Sequence, residues 1–446
     1  MPQNAKMPLG AFALYCLLLP PSGEVSATPT IGDKKAWEVA RSADRGQKTR
    51  HIERKRNIPP NYRHRHYCKN QRNIKQEKQM EQEQRKILLI CNTSTNVITF
   101  RVPLIRTLKA KGLKVSVIAF DDKRKEEIET EGVEFYCVSG SNTSLNPLKM
   151  LGLKGEYRKI IEKINPDIVF TFMLKPNTFG VLAAKKSGVK NIYSMVEGAG
   201  DAFSNNSLKW KIIRFVICKL YKKSFKGCKR VFFLNNDDKA EFVKRKLVKE
   251  SQCEIVHGIG VDLQKFAYKP IINHKTFLMV ARLVKTKGVF EYCKCARIVK
   301  QKYPEAQFNY LGGEHSLKVS DIQEYIDDGS INYLGETSDM IPYYKACAAF
   351  ILPSYYREGL PMSIMEAESV GRVILTTENV GCRDTVENGY NGFLVPVGDY
   401  EQMAGKVIWY IEHPAEAEQM GKNARSFAEE HFNQTKINEQ IIGGIL

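Results

Sequence analysis

From Lys86 onward the apolar positions alternate between two periods. Short unbroken apolar runs, too brief for helices, are each followed by a stretch in which apolar residues recur every three or four positions. KILLICN reads as a buried strand, VPLIRTLKAKG as a helix closed by glycine, and KVSVIAF as the next strand; DIVFTFM, NIYSMV and RVFFL repeat the pattern. Strands apolar on both faces belong to a parallel sheet, because a parallel crossover needs a helix-length connection and that helix covers a sheet face. A second series opens at TFLMVARL and runs through AQFNYLGG, INYLGE, AAFILPS, RVILTTE and GFLVP. The pattern predicts an α/β chain of two Rossmann-like, doubly wound parallel-sheet domains, residues 85–260 and 261–446, with the last helix a candidate to return to the first domain. Ligands of such sheets lie at the carboxyl ends of the strands, so the site is expected in a cleft where the domains face each other.

Residues 28–84 break this pattern. They are poor in aliphatics and rich in Arg, Lys, Gln, Asn and His, as in HIERKRNIPPNYRHRHYCKNQRN. Such a composition cannot bury enough surface to offset the entropy of ordering, so residues 1–84 read as a disordered basic extension. Met80, close to the first strand, is an alternative start. Over 446 residues the apolar content is 43%, which excludes a wholly disordered or fibrous chain. The formal net charge of +19 calls for a polyanionic partner: nucleic acid, anionic lipid or a diphosphate. No aromatic-and-glycine motif accompanies the charge, which sets nucleic acid aside. The eleven cysteines are odd in number and include no CxxC pair, so they read as reduced thiols and point to the cytosol. No apolar run reaches the roughly 18 residues of a spanning helix. Residues 7–20 have the outline of a signal peptide without a convincing cleavage site.

The densest chemical signal is PSYYREGLPMSIMEAESVG, residues 353–371. Glu358 and Glu366 are separated by seven residues, with Gly359, Leu360 and Pro361 following the first. That spacing places one carboxylate on a loop and the other in the helix behind it. Both can face one ligand whose phosphate meets the helix N-terminus, and a carboxylate there suits the paired hydroxyls of a ribose. Two glutamates alone would equally mark a helix start with acidic first-turn residues. Upstream, ARLVKTKGV places Arg282 and Lys287 on a strand-to-helix loop. Two cations there can hold a diphosphate and neutralise the charge that grows as it leaves, although a solvated basic loop has the same composition. Asp237 and Asp238 read as a solvated helix start, not a metal site; no metal or other cofactor is expected.

Residues 207–230, SLKWKIIRFVICKLYKKSFKGCKR, place Trp210, Ile213, Ile217, Leu220 and Phe225 at helical spacing among Lys209, Lys211, Arg214, Lys219, Lys222, Lys223 and Lys226. Such a helix can lie in a bilayer interface with anionic headgroups drawn to its lysines. The candidate membrane contacts are Trp210, Lys219, Lys222, Lys223 and Lys226. The alternative is a core-facing helix with a basic outer side.

Together these segments resemble the family-four retaining glycosyltransferases of the GT-B fold. HGIGVDLQKF (257–266) is similar to that family's interdomain segment, ARLVKTKG to its cation loop, NYLGG to its glycine-bearing strand end and REGLPMSIMEAESVG to its E-x7-E motif. The resemblance implies that Arg282 and Lys287 contact the donor diphosphate, Glu366 the ribose and Glu358 the donor sugar, with Gly312, Gly359 and Leu360 also at the donor. ITFRVPLIRTLKAKG, LKPNTFGVLAAK, SMVEGAGDAF and VGCRDTVENGYNGFLV are similar to bacterial N-acetylhexosaminyltransferases, N-acetylgalactosaminyltransferases among them, that act on polyprenyl-diphosphate-linked glycans. The implied acceptor-side residues are Asn96, Lys175, Asn177, Glu197 and Gly198. Leu174 replaces a histidine of that pattern, and CNTSTN (91–96) lacks the paired glycines of the wider family. The implied activity is retaining, metal-independent transfer from a UDP-sugar to a lipid-linked glycan, as in capsule or O-antigen assembly, at the inner face of the cytoplasmic membrane. A soluble acceptor, a sugar-nucleotide isomerase and a silent GT-B subunit are the rival readings.

Overall fold

The computed structural model describes residues 84–139, 147–200, 203 and 207–446. The basic extension, apart from Gln84, lies outside them. Seven strands form the first sheet: β1 (Lys86–Ile90), β2 (Lys114–Ala119), β3 (Glu134–Cys137), β4 (Ile168–Phe172), β5 (Asn191–Val196), β6 (Arg230–Phe233) and β7 (Cys253–Ile255). Their order is β3-β2-β1-β4-β5-β6-β7, and every pairing is parallel. The second sheet has six: β8 (Thr276–Val280), β9 (Gln307–Leu311), β10 (Asn332–Tyr333), β11 (Ala349–Leu352), β12 (Val373–Thr377) and β13 (Gly392–Val395). Its order is β10-β9-β8-β11-β12-β13, again all parallel. Two doubly wound sheets, as the apolar pattern predicts, are therefore the architecture.

The strands show why their sequences carry no polar face. In β1, Ile87 and Leu89 join one apolar cluster while Leu88 and Ile90 join another on the opposite side, and all four are fully buried. Successive side chains of a strand point to opposite faces, so burial on both sides demands an unbroken apolar run. Around the first sheet lie α1 (Ser94–Phe100), α2 (Val102–Ala110), α3 (Lys125–Thr130), α4 (Pro147–Ile164), α5 (Val181–Lys186), α6 (Leu208–Phe225) and α7 (Asn236–Lys244). A π-helical turn, Pro176–Gly180, leads into α5. Around the second lie α8 (Val289–Lys302), α9 (Gln323–Asp327), α10 (Ile341–Ala346), α11 (Met362–Ser369), α12 (Tyr400–Glu412), α13 (Pro414–His431) and α14 (Gln434–Ile445).

The strand order positions the site. In each sheet the chain reverses its winding between two adjacent strands, β1 and β4 in the first and β8 and β11 in the second, and a crevice opens above their carboxyl ends. Arg282 and Lys287 follow β8, and Glu358 and Glu366 follow β11. Asn96 follows β1, and Lys175 and Asn177 follow β4. Residues far apart in sequence thus converge on two facing crevices.

The chain crosses between the domains twice, side by side. Val261 N–H donates to the Phe432 carbonyl (2.8 Å), and Gln434 N–H donates to the Val261 carbonyl (3.2 Å). Asn433 then caps α14, accepting from Thr435 and Lys436, and α14 packs on α2 of the first domain. Its residues Ile437, Ile441, Ile442 and Ile445 are buried, and the Tyr193 hydroxyl donates to the Ile445 carbonyl at 2.9 Å. The C-terminal helix is thus a clasp on the first domain made of apolar burial. Ile441→Ala should lower the stability of the fold by about 2–5 kcal/mol through the lost contacts and the cavity left behind; chemical denaturation of wild type and variant measures it.

Candidate functional site

The loop after β8 is built around Gly288, which has φ +81° and a backbone so close to Pro353 that a Cβ would lie 2.1 Å from the Pro353 carbonyl oxygen. Glycine alone fits both demands. The close approach joins the loops after β8 and β11: Tyr355 and Tyr356 N–H groups both donate to the Thr286 carbonyl at 2.9 Å. Lys287 is thereby set against Glu358, and the two form an ion pair. The Ser354 hydroxyl lies 3.1 Å from the same Glu358 oxygen, and the Lys287 ammonium sits 5.5 Å from the centre of the Tyr356 ring. Arg282 is exposed on the same loop and, among the described residues, makes no ion pair. A paired cation, a free cation and a buried carboxylate therefore occupy one edge of the crevice.

Behind them, α11 begins at Pro361 with no side chain capping it. Its first N–H groups remain open to an anionic ligand. Leu360 is buried at this end. One turn on, Glu366 accepts a hydrogen bond from Tyr344 Oη at 2.9 Å, and burial pushes its carboxyl up to about 7. Glu368 is fully buried. One of its oxygens accepts from Asn391 at 2.7 Å, the other has no partner, and burial holds it well above the usual carboxylate range. Gly312, at the end of β9, donates its N–H to the Gly335 carbonyl at 2.8 Å and so fixes the strand ends.

From the first domain, Glu197 and Gly198 follow β5. Glu197 pairs with Arg101, a buried guanidinium stacked 4.1 Å over Phe172. The backbones of the two domains touch here: a Cβ on Gly359 would lie 2.2 Å from the Glu197 carbonyl oxygen, and one on Gly198 would lie 3.0 Å from the Gly359 nitrogen. Asn96 lies in the first turn of α1, its amide 3.3 Å from Met173 Sδ. Lys175 is buried, 5.8 Å over Phe120, and burial lowers its ammonium to about 8. Asn177 departs from its expected acceptor contact. It is fully buried; its amide accepts from Thr171 (2.7 Å) and donates to the Met195 carbonyl (2.7 Å), so it is spent on joining β4 to β5 beneath the crevice.

Two further expectations need correction. Asp237 and Asp238 open a helix as expected, but both carboxylates are paired with cations of the second domain, and only Asp237 keeps part of its surface in solvent. Asp238 is fully buried and accepts from Arg357 Nε at 2.6 Å, and Asp237 pairs with Arg383 at 2.7 Å. In α6 the predicted apolar stripe faces inward. Ile213, Ile217 and Phe225 are buried in the first domain, with Trp210 and Leu220 packed against the same cluster. A different apolar set faces solvent: Leu208 (75% exposed), Ile212 (41%) and Phe215 (63%), beside exposed Lys219, Lys222, Lys223 and Lys226. Four further residues join the site: Ser354 and Arg357, which lie within the motif segment beside Glu358, and Tyr344 and Asn235, which only the fold brings to Glu366 and to the backbone of Glu358.

Residues 262–427 match the family model described as Glycosyl transferases group 1, and residues 86–235 match the one described as Glycosyl transferase 4-like. The chain is 29% identical over 358 residues, 76% of its own length and 93% of the relative's, to the N,N'-diacetylbacillosaminyl-diphospho-undecaprenol alpha-1,3-N-acetylgalactosaminyltransferase of Campylobacter jejuni. It is 28% identical over 302 residues, 64% of its length and 76% of the relative's, to the UDP-Gal:alpha-D-GlcNAc-diphosphoundecaprenol alpha-1,3-galactosyltransferase of Escherichia coli. Among solved structures, a glycosyltransferase from Rickettsia africae superposes with a TM-score of 0.67 at 20% identity, over 81% of this chain and 97% of that one. Anabaena HepE in complex with UDP superposes with a TM-score of 0.65 at 19% identity, over 80% and 98%. At these identities the structures share the fold.

The raised Glu366 carboxyl has a measurable consequence. Its ordinary value of 4.5 rises to about 7 on folding, so the stability it contributes is complete below pH 4.5 and is lost as pH rises through 7. A neutral amide does not titrate. Melting temperatures of wild type and Glu366→Gln, compared at pH 5 and pH 8, should therefore converge or cross in the variant's favour at the higher pH. A constant difference between the two proteins would contradict the burial of this carboxyl.

Proposed function

This chain is a glycosyltransferase of the group 1 family built on the GT-B fold, and we propose that it moves an N-acetylhexosamine from a UDP-sugar to a polyprenyl-diphosphate-linked glycan with retention of anomeric configuration. The observation that carries this reading is the Lys287–Glu358 pair beside the unpaired Arg282, held at the carboxyl ends of β8 and β11. The names of two relatives, both acting on diphospho-undecaprenol-linked sugars, support the acceptor class.

In this reading the donor lies along the second domain. Its diphosphate meets Arg282, Lys287 and the open N-terminus of α11, and its ribose hydroxyls meet Glu366. Glu358, beside Gly359 and Leu360, takes the hydroxyls of the transferred sugar. As the bond from the anomeric carbon to the diphosphate oxygen breaks, charge grows on that oxygen, and the two fixed cations stabilise it more than they stabilise the ground state. This neutralisation is the service a metal would otherwise give, so none is required. Asn96, Lys175, Glu197 and Gly198 face the acceptor, and Asn177 holds the strands beneath them. The carboxylates nearest the cleft, Glu197 and Glu358, are each committed to a cation, Arg101 and Lys287. A covalent sugar–enzyme intermediate therefore has no ready nucleophile, which favours attack by the acceptor hydroxyl on the face the diphosphate leaves. The hydroxyl proton passes to the departing diphosphate oxygen.

The acceptor's lipid places the enzyme at the cytoplasmic surface of the membrane, and the outer side of α6 suits that contact. Leu208, Ile212 and Phe215 stand at helical spacing, and residues 207–230 contain no acidic residue. Among the described residues no helix is long and apolar enough to cross a membrane. Partial insertion of three apolar side chains, with about 1 kcal/mol for each lysine near an anionic surface, gives reversible and salt-sensitive binding.

Lys287→Ala should reduce transfer from UDP-N-acetylhexosamine to a polyprenyl-diphosphate glycan at least roughly a hundredfold while leaving the fold intact; wild-type turnover in a folded variant would overturn the diphosphate assignment. In flotation with anionic vesicles at low salt, wild type should rise with the lipid. The triple variant Leu208→Ser, Ile212→Ser, Phe215→Ser should stay behind. Equal flotation of the two would move the membrane contact off α6.

A further inference from the structure

Glu358 is held from two sides that belong to different domains. Its carboxylate is gripped by the second domain, through Lys287 and Ser354. Its backbone is gripped by the first. Asn235 caps α7, its Oδ1 accepting from Asp238 N–H at 2.7 Å. The Nδ2 of the same amide crosses the cleft and donates to the Gly359 carbonyl at 2.9 Å and the Glu358 carbonyl at 3.3 Å. Three residues on, Asp238 accepts from Arg357 Nε at 2.6 Å and from the Ala199 N–H at 3.0 Å. The residue before Glu358, its own carbonyl and the residue after it are thus all tied to the first domain.

These bonds can exist only when the domains stand close. Asp238 is fully buried with Arg357 of the second domain against it, and burial raises its carboxyl while Arg357 opposes that shift. A carboxylate in such a place is stable only with its cation present. Separation of the domains would hydrate Asp238 and Arg357 and release the peptide of Glu358 and Gly359, leaving the Glu358 carboxylate in contact with Lys287 but free to tilt.

We propose that Asn235 and Asp238 are positioning residues that aim Glu358 at the donor sugar upon domain closure, so that the carboxylate is set for transfer only when the first domain is in place. The proposal rests on the reading above in which Glu358 contacts that sugar. It predicts a division of labour: binding of the nucleotide is a property of the second domain, whereas alignment of the sugar needs both. A displacement of a positioned group by about 1 Å is enough to cost up to roughly a hundredfold in rate.

The test uses Asn235→Ser, because serine keeps the helix cap while deleting the donor that crosses the cleft. The full-length variant should bind UDP by calorimetry, and show a donor KM, within about twofold of wild type, while its kcat for transfer falls at least about tenfold. The deciding comparison repeats the substitution in a Glu358→Gln background, where there is no carboxylate left to aim and Asn235→Ser should change kcat by less than about twofold. A tenfold fall in both backgrounds would mean that Asn235 acts independently of Glu358 and would overturn the proposal, as would wild-type kcat in Asn235→Ser alone. Glu358→Gln is itself the control on the underlying reading: wild-type turnover in that single variant would remove Glu358 from the reaction, and the proposal with it. Arg357→Lys, which retains the charge facing Asp238, should recover most of the kcat that Arg357→Ala loses; equal loss in the two would also count against it.

Discussion

Between Gly198 and Gly359 there is room for two backbones and no side chain, and this approach is the constraint on which the cleft depends. Any Cβ at Gly359 would meet the Glu197 carbonyl oxygen at 2.2 Å. Because the backbones meet directly, short side chains reach across: Asn235 finds the carbonyls of Glu358 and Gly359, and Asp238 finds Arg357. A separation greater by one methylene would carry each of these contacts beyond hydrogen-bonding distance. The second close approach, Gly288 against Pro353, does the same within one domain and brings Lys287 to Glu358.

Electrostatics in the cleft follow from this packing. Although the chain carries a formal charge of +19, the cations at the site are few and placed. Arg101 is neutralised by Glu197, Lys287 by Glu358 and Arg357 by Asp238, while Arg282 faces the crevice without an ion pair among the described residues. The site therefore offers one free cation and others whose carboxylate partners can yield to a diphosphate. The acids of the helix behind behave differently. Glu366 is pushed up to about 7 by burial, and burial likewise raises Glu368, one of whose oxygens has no partner. The two glutamates of one helix have different partners, Glu366 the Tyr344 hydroxyl and Glu368 the Asn391 amide.

The two sheets supply the frame without which none of this geometry would persist. Parallel strands buried on both faces fix where each strand ends, and the reversal of winding between β8 and β11 puts the cation loop and the glutamate loop side by side although they are 71 residues apart at the Lys287–Glu358 contact. The return of α14 to the first domain adds apolar burial that a single crossing of the chain would lack.

How much of this could be read before the structure depended on whether the signal was local. The strands, the two doubly wound halves and the E-x7-E segment were legible, because apolar period and spacing within one loop and helix are local properties that burial imposes directly on sequence. The apolar stripe of α6 was legible as a stripe, but the side that the protein covers was not. Leu208, Ile212 and Phe215 are as apolar as Ile213, Ile217 and Phe225, and only packing against the neighbouring helices and sheet decides which set is buried. Asp238 read as a solvated cap for the same reason: its cation, Arg357, lies 119 residues away on the other domain. Asn177 sits in a segment that bears a family likeness, yet its amide is consumed by Thr171 and Met195 on two strands. The sequence by itself determined the elements, their alternation and the residue types at the crevice, since each follows from a period or spacing within a few turns. The tertiary structure alone decided which charges meet and which apolar faces stay open, because those depend on surfaces brought together across the chain, and no local period encodes them.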